Sequence, residues 1–295
     1  MQALWMVLGA FFFATMGVAV KYASTSFNTF ELVFYRGLIS TAFLALVLRN
    51  RGIELRTSKP LMHIWRSIVG ATSLTAWFYA IAFLPLATAM TLNYMSGIWV
   101  SAFIVGGALL YGKSERHGPL LGTVLLGFVG VVLTLRPSID QNQLFAGLIG
   151  LLSGMTASLA YLQVTALARA GEPEGRTVFY FAVGTAFTGL VGILFTGFTP
   201  WDQIHWQAAI WLLPIGILAS LGQWCMTRAY SRGHTLVVAS LQYSGIVFAS
   251  FYSLLLFGDR MPLSAWLGIA LIVASGVVAT FLRERAIPDT PAEEH

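Results

Sequence analysis

The polar side chains inside the long apolar runs of this sequence are the ones able to do chemistry, and almost all are uncharged. Between residues 88 and 110, Asn93, Ser96, Gly97 and Ser101 fall on one broad helical face at about 100° per residue. Thr72, Thr75 and Tyr79 recur at spacings of three and four, as do Ser220, Gln223 and Thr227. Ser153, Thr156 and Gln163 form a fourth stripe, and Gln242 stands beside Tyr243 and Gly245 in a fifth. Hydroxyls and amides at helical spacing exchange hydrogen bonds reversibly; they bind a polar guest without activating it. Deep aromatics such as Trp77, Tyr94, Trp224 and Tyr243 offer ring faces to an apolar or aromatic body. Gly, Ser and Thr also let helices pack closely, so the amides carry most of the cavity reading, because an amide facing lipid is costly. The candidate substrate-binding residues are Thr75, Tyr79, Asn93, Tyr94, Ser96, Gln163, Ser220, Gln223, Trp224, Gln242 and Tyr243.

Catalytic groups are missing from the same runs. Of the 12 acidic residues only Glu31 lies within one, at its end, and the 5 histidines lie in loops, at run edges or at the terminus. The lone Cys225 excludes a disulfide framework or a cysteine-built metal cluster. Gly107 to Gly112 precedes Lys113 but lacks the helix that follows a phosphate-binding loop. The sequence therefore predicts no enzyme, no cofactor and no metal. A proton-driven pump keeps a carboxylate or histidine in its intramembrane path; without one, movement down a gradient, or coupling that uses no buried acid, is expected. Two cations do fall within runs. Lys21 is near the end of the first, and Arg36 is about six residues, roughly 9 Å, into the second. Either can attract a substrate carboxylate in an outer vestibule, or can snorkel to headgroups with Glu31 as counter-charge. The central cavity itself is expected to be uncharged.

These residues need elements to hold them. The chain has 295 residues, 57% hydrophobic and 10% charged, with a mean hydropathy of +0.76. A soluble domain carries about 25% charged residues, so the solvent for most of this chain is lipid. Ten runs are long enough to span a bilayer core, approximately 2–22, 30–48, 64–83, 88–110, 119–135, 144–167, 177–196, 207–228, 236–257 and 263–282. Each must be helical, because backbone groups in lipid are satisfied only internally. Pro214 alone among the prolines that interrupt the pattern falls inside a run and predicts a kink there. With the N-terminus cytoplasmic, 13 of the 17 Lys and Arg residues, from Arg49 through Arg66 and Arg169 to Arg285, fall on the cytoplasmic side. Lys21, Arg136 and Arg260 fall on the other. That asymmetry, with an even number of spans, places both termini inside. It also accounts for the net charge of +5 without nucleic acid.

The two halves resemble each other. Val33-Phe34-Tyr35 is echoed by Val178-Phe179-Tyr180, Trp77 by Trp224, Ser96-Gly97-Ile98 by Ser244-Gly245-Ile246, and Gly122 and Gly130 by Gly268 and Gly276. The offset stays between 145 and 148 throughout. Five spans is an odd number, so the second half is inserted upside down, as in many secondary transporters. The expected organisation is a first repeat over 1–137, a second over 144–285 and a cytoplasmic tail over 286–295.

Ten spans in a five-plus-five inverted repeat, the Gly258-Asp259-Arg260 turn and the glycine-rich final run resemble the EamA branch of the drug/metabolite transporter superfamily. The equivalent turn of the first half, Gly112-Lys113-Ser114, departs from that pattern. Within the branch the chain is most similar to YddG-type exporters of aromatic and other amino acids. The resemblance implies an all-α protein of the bacterial inner membrane that exports small metabolites, amino acids among them, by alternating access. It implies that spans 3, 4, 8 and 9 line the path. The partners expected are a small-molecule substrate and the bilayer; a monomer suffices, and the oligomeric state is left open. Nucleotide derivatives or drugs are the alternative cargo, and an integral-membrane lipid enzyme is a more distant alternative.

Overall fold

The computed structural model describes residues 4–99, 102–103, 118–140, 143–232, 238, 241–259 and 261–286, and it is helical almost throughout. In chain order the helices are α1 (Leu4–Ala23), α2 (Thr29–Asn50), α3 (Pro60–Phe83), α4 (Leu86–Tyr94), α5 (Gly118–Asp140), α6 (Leu144–Arg169), α7 (Glu174–Thr196), α8 (Leu212–Arg232), α9 (Ser244–Leu256) and α10 (Leu263–Ala286). Five of them are long and apolar enough to cross a membrane by length and composition. The Gly112-Lys113-Ser114 turn, Arg260, Ser101 and residues 287–295 lie outside the described residues.

Local chemistry sets the helix ends. Asn28 caps α2 by accepting from the Phe30 and Glu31 amides, while the Glu31 carboxylate accepts from the Asn28 amide, a complete capping box. Proline at position 60 opens α3, where its missing N–H costs nothing. Gly258 takes φ +63° just past α9, in the left-handed region that glycine enters without strain. The eighth span is a single turn, Trp206–Ala209, a break, and then α8. The interruption falls at Ile210–Trp211, ahead of Pro214, because a proline ring clashes with the carbonyl four residues before it. A further pair of interruptions, related to each other, was not expected from the sequence. The helix of the fourth span breaks at Met95 and that of the ninth at Tyr243, each followed by Ser-Gly. These positions are related by the repeat offset.

Packing follows an approximate twofold exchange of the two repeats. Helix α1 lies along α8 as α6 lies along α3, α1 meets α9 as α6 meets α4, and α2–α7, α4–α9 and α5–α10 pair each element with its own counterpart. The α2–α7 contact is a close one. A Cβ on Gly37 would sit against the Ala186 backbone, and one on Gly189 would approach the Phe34 Cα at 2.6 Å. The two backbones therefore touch, as small residues allow in membrane helices. Replacing Gly189 with valine forces them apart, and overpacking of this kind costs about 1–3 kcal/mol. The expected result is a lower melting temperature and a smaller monodisperse fraction in detergent; an unchanged melting temperature would contradict the packing described.

Candidate substrate cavity

At the centre of the bundle is a small cavity, ≈ 40 Å³, walled by α1, α3, α4, α6, α7 and α8. Helix α3 contributes more of the lining than any other helix, presenting Arg66, Gly70, Ser73, Leu74 and Trp77 on one face. Phe13, Asn93, Tyr94, Tyr161, Phe181 and Gln223 close the other sides. Asn93 Nδ2 donates to Ser153 Oγ at 3.1 Å, and Ser73 Oγ donates to the Ser153 carbonyl at 2.9 Å, which ties α3 and α4 to α6.

The dominant group in the cavity is a cation. Arg66 is only 3% exposed. Its guanidinium carbon lies 4.0 Å from the centre of the Phe181 ring, and Nη2 is 3.5 Å from Gln223 Oε1. Gly70 makes the room: a Cβ there would collide with Arg66 Nη1. Nε and Nη1 of Arg66, the Trp77 indole N–H and the Tyr94 hydroxyl are buried without hydrogen-bond partners among the described residues. Phe181 and Gln223 also border the packed surroundings of Arg36, Ser40 and Ser220, which leave no room for a water molecule. Arg36 is 1% exposed, donates from Nη1 to Thr185 Oγ1 at 3.3 Å, and lies 5.3 Å from the same Phe181 ring.

The expectation of an uncharged cavity is thus corrected. Arg66 is not a loop residue: α3 starts at Pro60, so its guanidinium reaches the interior. Arg36 is buried beside the cavity rather than placed in a vestibule. Lys21 Nζ donates to the Leu84 carbonyl at 2.6 Å and lies 5.4 Å from the Phe257 ring, so it fastens the α3–α4 turn.

Of the other expected site residues, the structure brings Asn93, Tyr94 and Gln223 to the central cavity and Ser220 to the packed region around Arg36 beside it. Gln242 is one layer behind. Its amide donates to Ser96 Oγ at 3.3 Å and accepts from the Tyr230 hydroxyl at 2.9 Å, and Tyr230 stacks on Tyr161. Thr75 and Tyr79 do not face the cavity. With Thr72 and Phe145 they line an apolar groove on the other side of α3. Trp224 is rotated away toward Leu44 and Val178, beneath the Arg51 guanidinium at 5.1 Å. Tyr243 packs its hydroxyl against Gly276 of α10. Gln163 is half-exposed on α6 and outside the lining. Sequence reasoning missed Arg66, Tyr161 and Phe181 as lining groups. The signal for Arg66 was its register with Gly70, Ser73 and Trp77.

A buried carboxylate lies toward each end of the bundle. At one end Glu172, between α6 and α7, accepts from Thr57 Oγ1 at 2.7 Å and pairs with His63 Nε2 at 3.3 Å and Arg176 Nη1 at 3.1 Å. His63 stacks on Tyr180 at 4.5 Å, and Tyr180 donates to the Leu55 carbonyl. Burial pushes the Glu172 carboxyl up, but hydrogen bonds from Thr57, Arg176 and His63 outweigh it and hold the group below the usual carboxylate range. At the other end Glu31, 1% exposed, accepts from the Thr199 amide at 2.7 Å and the Thr199 hydroxyl at 2.6 Å. Asn28 Nδ2 donates to the Gly197 carbonyl beside it. Each cluster joins a first-repeat segment to a second-repeat segment.

Residues 1–136 and 144–281 each match the sequence model of the EamA-like transporter family. The chain is 32% identical over 274 residues to the pseudopaline exporter CntI of Pseudomonas aeruginosa strain UCBPP-PA14, covering 92% of this chain and 90% of that protein. It is 26% identical over 282 residues to the riboflavin transporter of Vibrio cholerae serotype O1, covering 92% of this chain and 90% of that protein. A crystal structure of a protein 20% identical in sequence superposes with a TM-score of 0.67 over 96% of this chain and 98% of that chain, which shows the fold.

Proposed function

This chain belongs to the EamA-like transporter family, and from that premise we propose that it exports small metabolites, amino acids including aromatic ones among them, across the bacterial inner membrane. The observation that carries this reading is the central cavity, walled by Phe13, Trp77, Tyr161 and Phe181 beside hydrogen-bonding groups from α3, α4 and α8. Aromatic walls favour an apolar or aromatic body through area burial and edge-to-face contact. Donors at one side fix its polar end. Relatives that carry pseudopaline and riboflavin support a small-metabolite cargo.

The mechanism is alternating access. The repeats over 1–137 and 144–285 exchange conformations about the cavity. Release of the Glu172 cluster opens it on the side read as cytoplasmic, and release of the Glu31 cluster opens it on the opposite side. Both termini lie in the cytoplasm, as the distribution of Lys and Arg supports.

Counterflow in proteoliposomes tests this. Phenylalanine, tyrosine, leucine, riboflavin and a nucleoside are offered against preloaded unlabelled compound. Saturable exchange of the amino acids is expected, with no requirement for an imposed pH gradient, because no carboxylate or histidine among the described residues lines the cavity. Exchange of riboflavin or the nucleoside alone would replace the cargo, and flux that fails to saturate would replace the transporter with a channel.

A further inference from the structure

We infer that Arg66 holds one small monovalent anion, a halide such as chloride, in the central cavity, as the counter-ion that the protein itself does not supply. The inference concerns binding alone and does not depend on which cargo the cavity passes.

Arg66 lies inside α3 and is 3% exposed. Among the described residues it meets no carboxylate: the ion pairs there are those of Glu172 with His63 and Arg176. Its charge is faced instead by the Phe181 ring at 4.0 Å and by Gln223 Oε1 at 3.5 Å, the outer limit of a hydrogen bond. A second guanidinium, that of Arg36, lies 5.3 Å from the same ring and donates to Thr185. Its surroundings leave no room for a water molecule, so it adds positive potential without taking a ligand of its own. A buried charge needs an opposite charge or polar contacts that replace water. An intramembrane cation with no protein counter-ion marks a ligand or ion pathway.

The polar groups around Arg66 are donors as well. Arg66 Nε and Nη1, the Trp77 indole N–H and the Tyr94 hydroxyl are buried without partners among the described residues, and all three residues line the cavity. Helix α9 starts at Ser244 with no side-chain cap, and a Cβ on Gly245 would lie 2.7 Å from Tyr94 Oη. The positive end of α9 therefore stands behind Tyr94. A guest that completes this set brings negative charge and accepts hydrogen bonds.

Size and hydration select among anions. The cavity is ≈ 40 Å³, and one buried water needs about 10–15 Å³ of such space. A halide fits with a water or two beside it; sulfate and gluconate are too large. Phe13, Leu74, Trp77 and Phe181 make much of the wall apolar, which favours an ion that sheds its water readily. Chloride and bromide do so, and fluoride does not.

Purified full-length protein in sodium gluconate is titrated with sodium chloride at constant ionic strength. Binding is read from the chloride NMR line width, and stability from the melting temperature. Half-saturation is expected at about 1 mM, and chloride at about 100-fold above that value should raise the melting temperature by several degrees over gluconate. Bromide should displace chloride, while fluoride and sulfate should not. Arg66→Gln should lose at least about tenfold in chloride affinity. The exposed Arg169→Gln should keep the parental value. Bromide also quenches tryptophan fluorescence, which locates the ion with Arg66 intact. A saturable component of the quenching is expected in the parent protein and should vanish in Trp77→Phe. No saturable chloride binding, displacement by sulfate or fluoride as effective as by bromide, parental affinity in Arg66→Gln, or saturable quenching that persists in Trp77→Phe overturns the inference.

Discussion

Replacing Arg66 with methionine is expected to raise the melting temperature of the ligand-free protein while lowering transport at least about 100-fold, a loss equivalent to about 2.7 kcal/mol. The two effects have one cause. Taking a guanidinium out of water costs several kcal/mol even after the surroundings relax. The structure offsets little of this. Stacking on Phe181 at 4.0 Å is a cation–π contact of about 2 kcal/mol when desolvated. The bond to Gln223 is long at 3.5 Å, and two further donors are unpartnered, each costing about 1–3 kcal/mol. Methionine fills much of the same volume with adaptable apolar atoms and no orphan donors. Exchanging buried ionic groups for apolar ones is commonly neutral or stabilising by about 1–4 kcal/mol, which for a chain of this size is a rise of several degrees. A fall in melting temperature would mean that Arg66 is a structural strut, and its reading as a substrate-facing group of the cavity would fail with that result.

What the sequence revealed, and what it hid, follows from how each side chain meets lipid. The spans and the inverted repeat were legible because burial in lipid imposes long apolar runs, and the repeat leaves a constant offset. The amides Asn93 and Gln223 were legible as cavity residues because an amide cannot satisfy itself on a helix surface. Hydroxyls can. Thr72 Oγ1 donates to the Ile68 carbonyl and Thr75 Oγ1 to the Ala71 carbonyl, each four residues back on α3. A threonine stripe therefore faces the outer groove at no cost, and Thr75 and Tyr79 fell on the wrong side of α3. Trp224 follows Gln223 by one residue, about 100° around α8, so the two do not share a wall. Arg66 was hidden by bookkeeping of a different kind. A basic residue near a run's end reads as an interfacial anchor, and only the start of α3 at Pro60 shows that it lies roughly 9 Å along the helix. The breaks at Met95 and Tyr243 had a faint signal in the repeated Ser-Gly, but a Ser-Gly pair in an apolar helix is compatible with an unbroken one.

Glu31→Gln and Glu172→Gln are expected to have opposite effects on which side of the membrane reaches the cavity. Each carboxylate holds a first-repeat segment to a second-repeat segment through charge-assisted bonds: Glu172 to Thr57, His63 and Arg176, and Glu31 to Asn28 and Thr199. Losing the charge at one end weakens closure there by about 1–3 kcal/mol, a shift of about 5- to 150-fold in the population of the open end. Alternating access then requires the other end to remain shut. The readout is a single cysteine at the cavity, Ser73→Cys, in a Cys225→Ser background, labelled with a membrane-impermeant maleimide from either side. Glu172→Gln should raise labelling from the side read as cytoplasmic, and Glu31→Gln from the opposite side. The pH dependence of the Glu172 closure follows from its pKa. A carboxyl held below its ordinary value contributes stability that is fully present above the unfolded value and is lost as pH falls through the lowered one. His63, Arg176 and Tyr180 surround the cluster, and across the neutral range the Glu172 charge does not change. Labelling in the parent protein should therefore stay low until the medium falls below the usual carboxylate range, where it should approach the Glu172→Gln level. Labelling that rises from one and the same side in both variants would mean that the two clusters are not opposing gates, and the exchange of repeats about the cavity would lose its support.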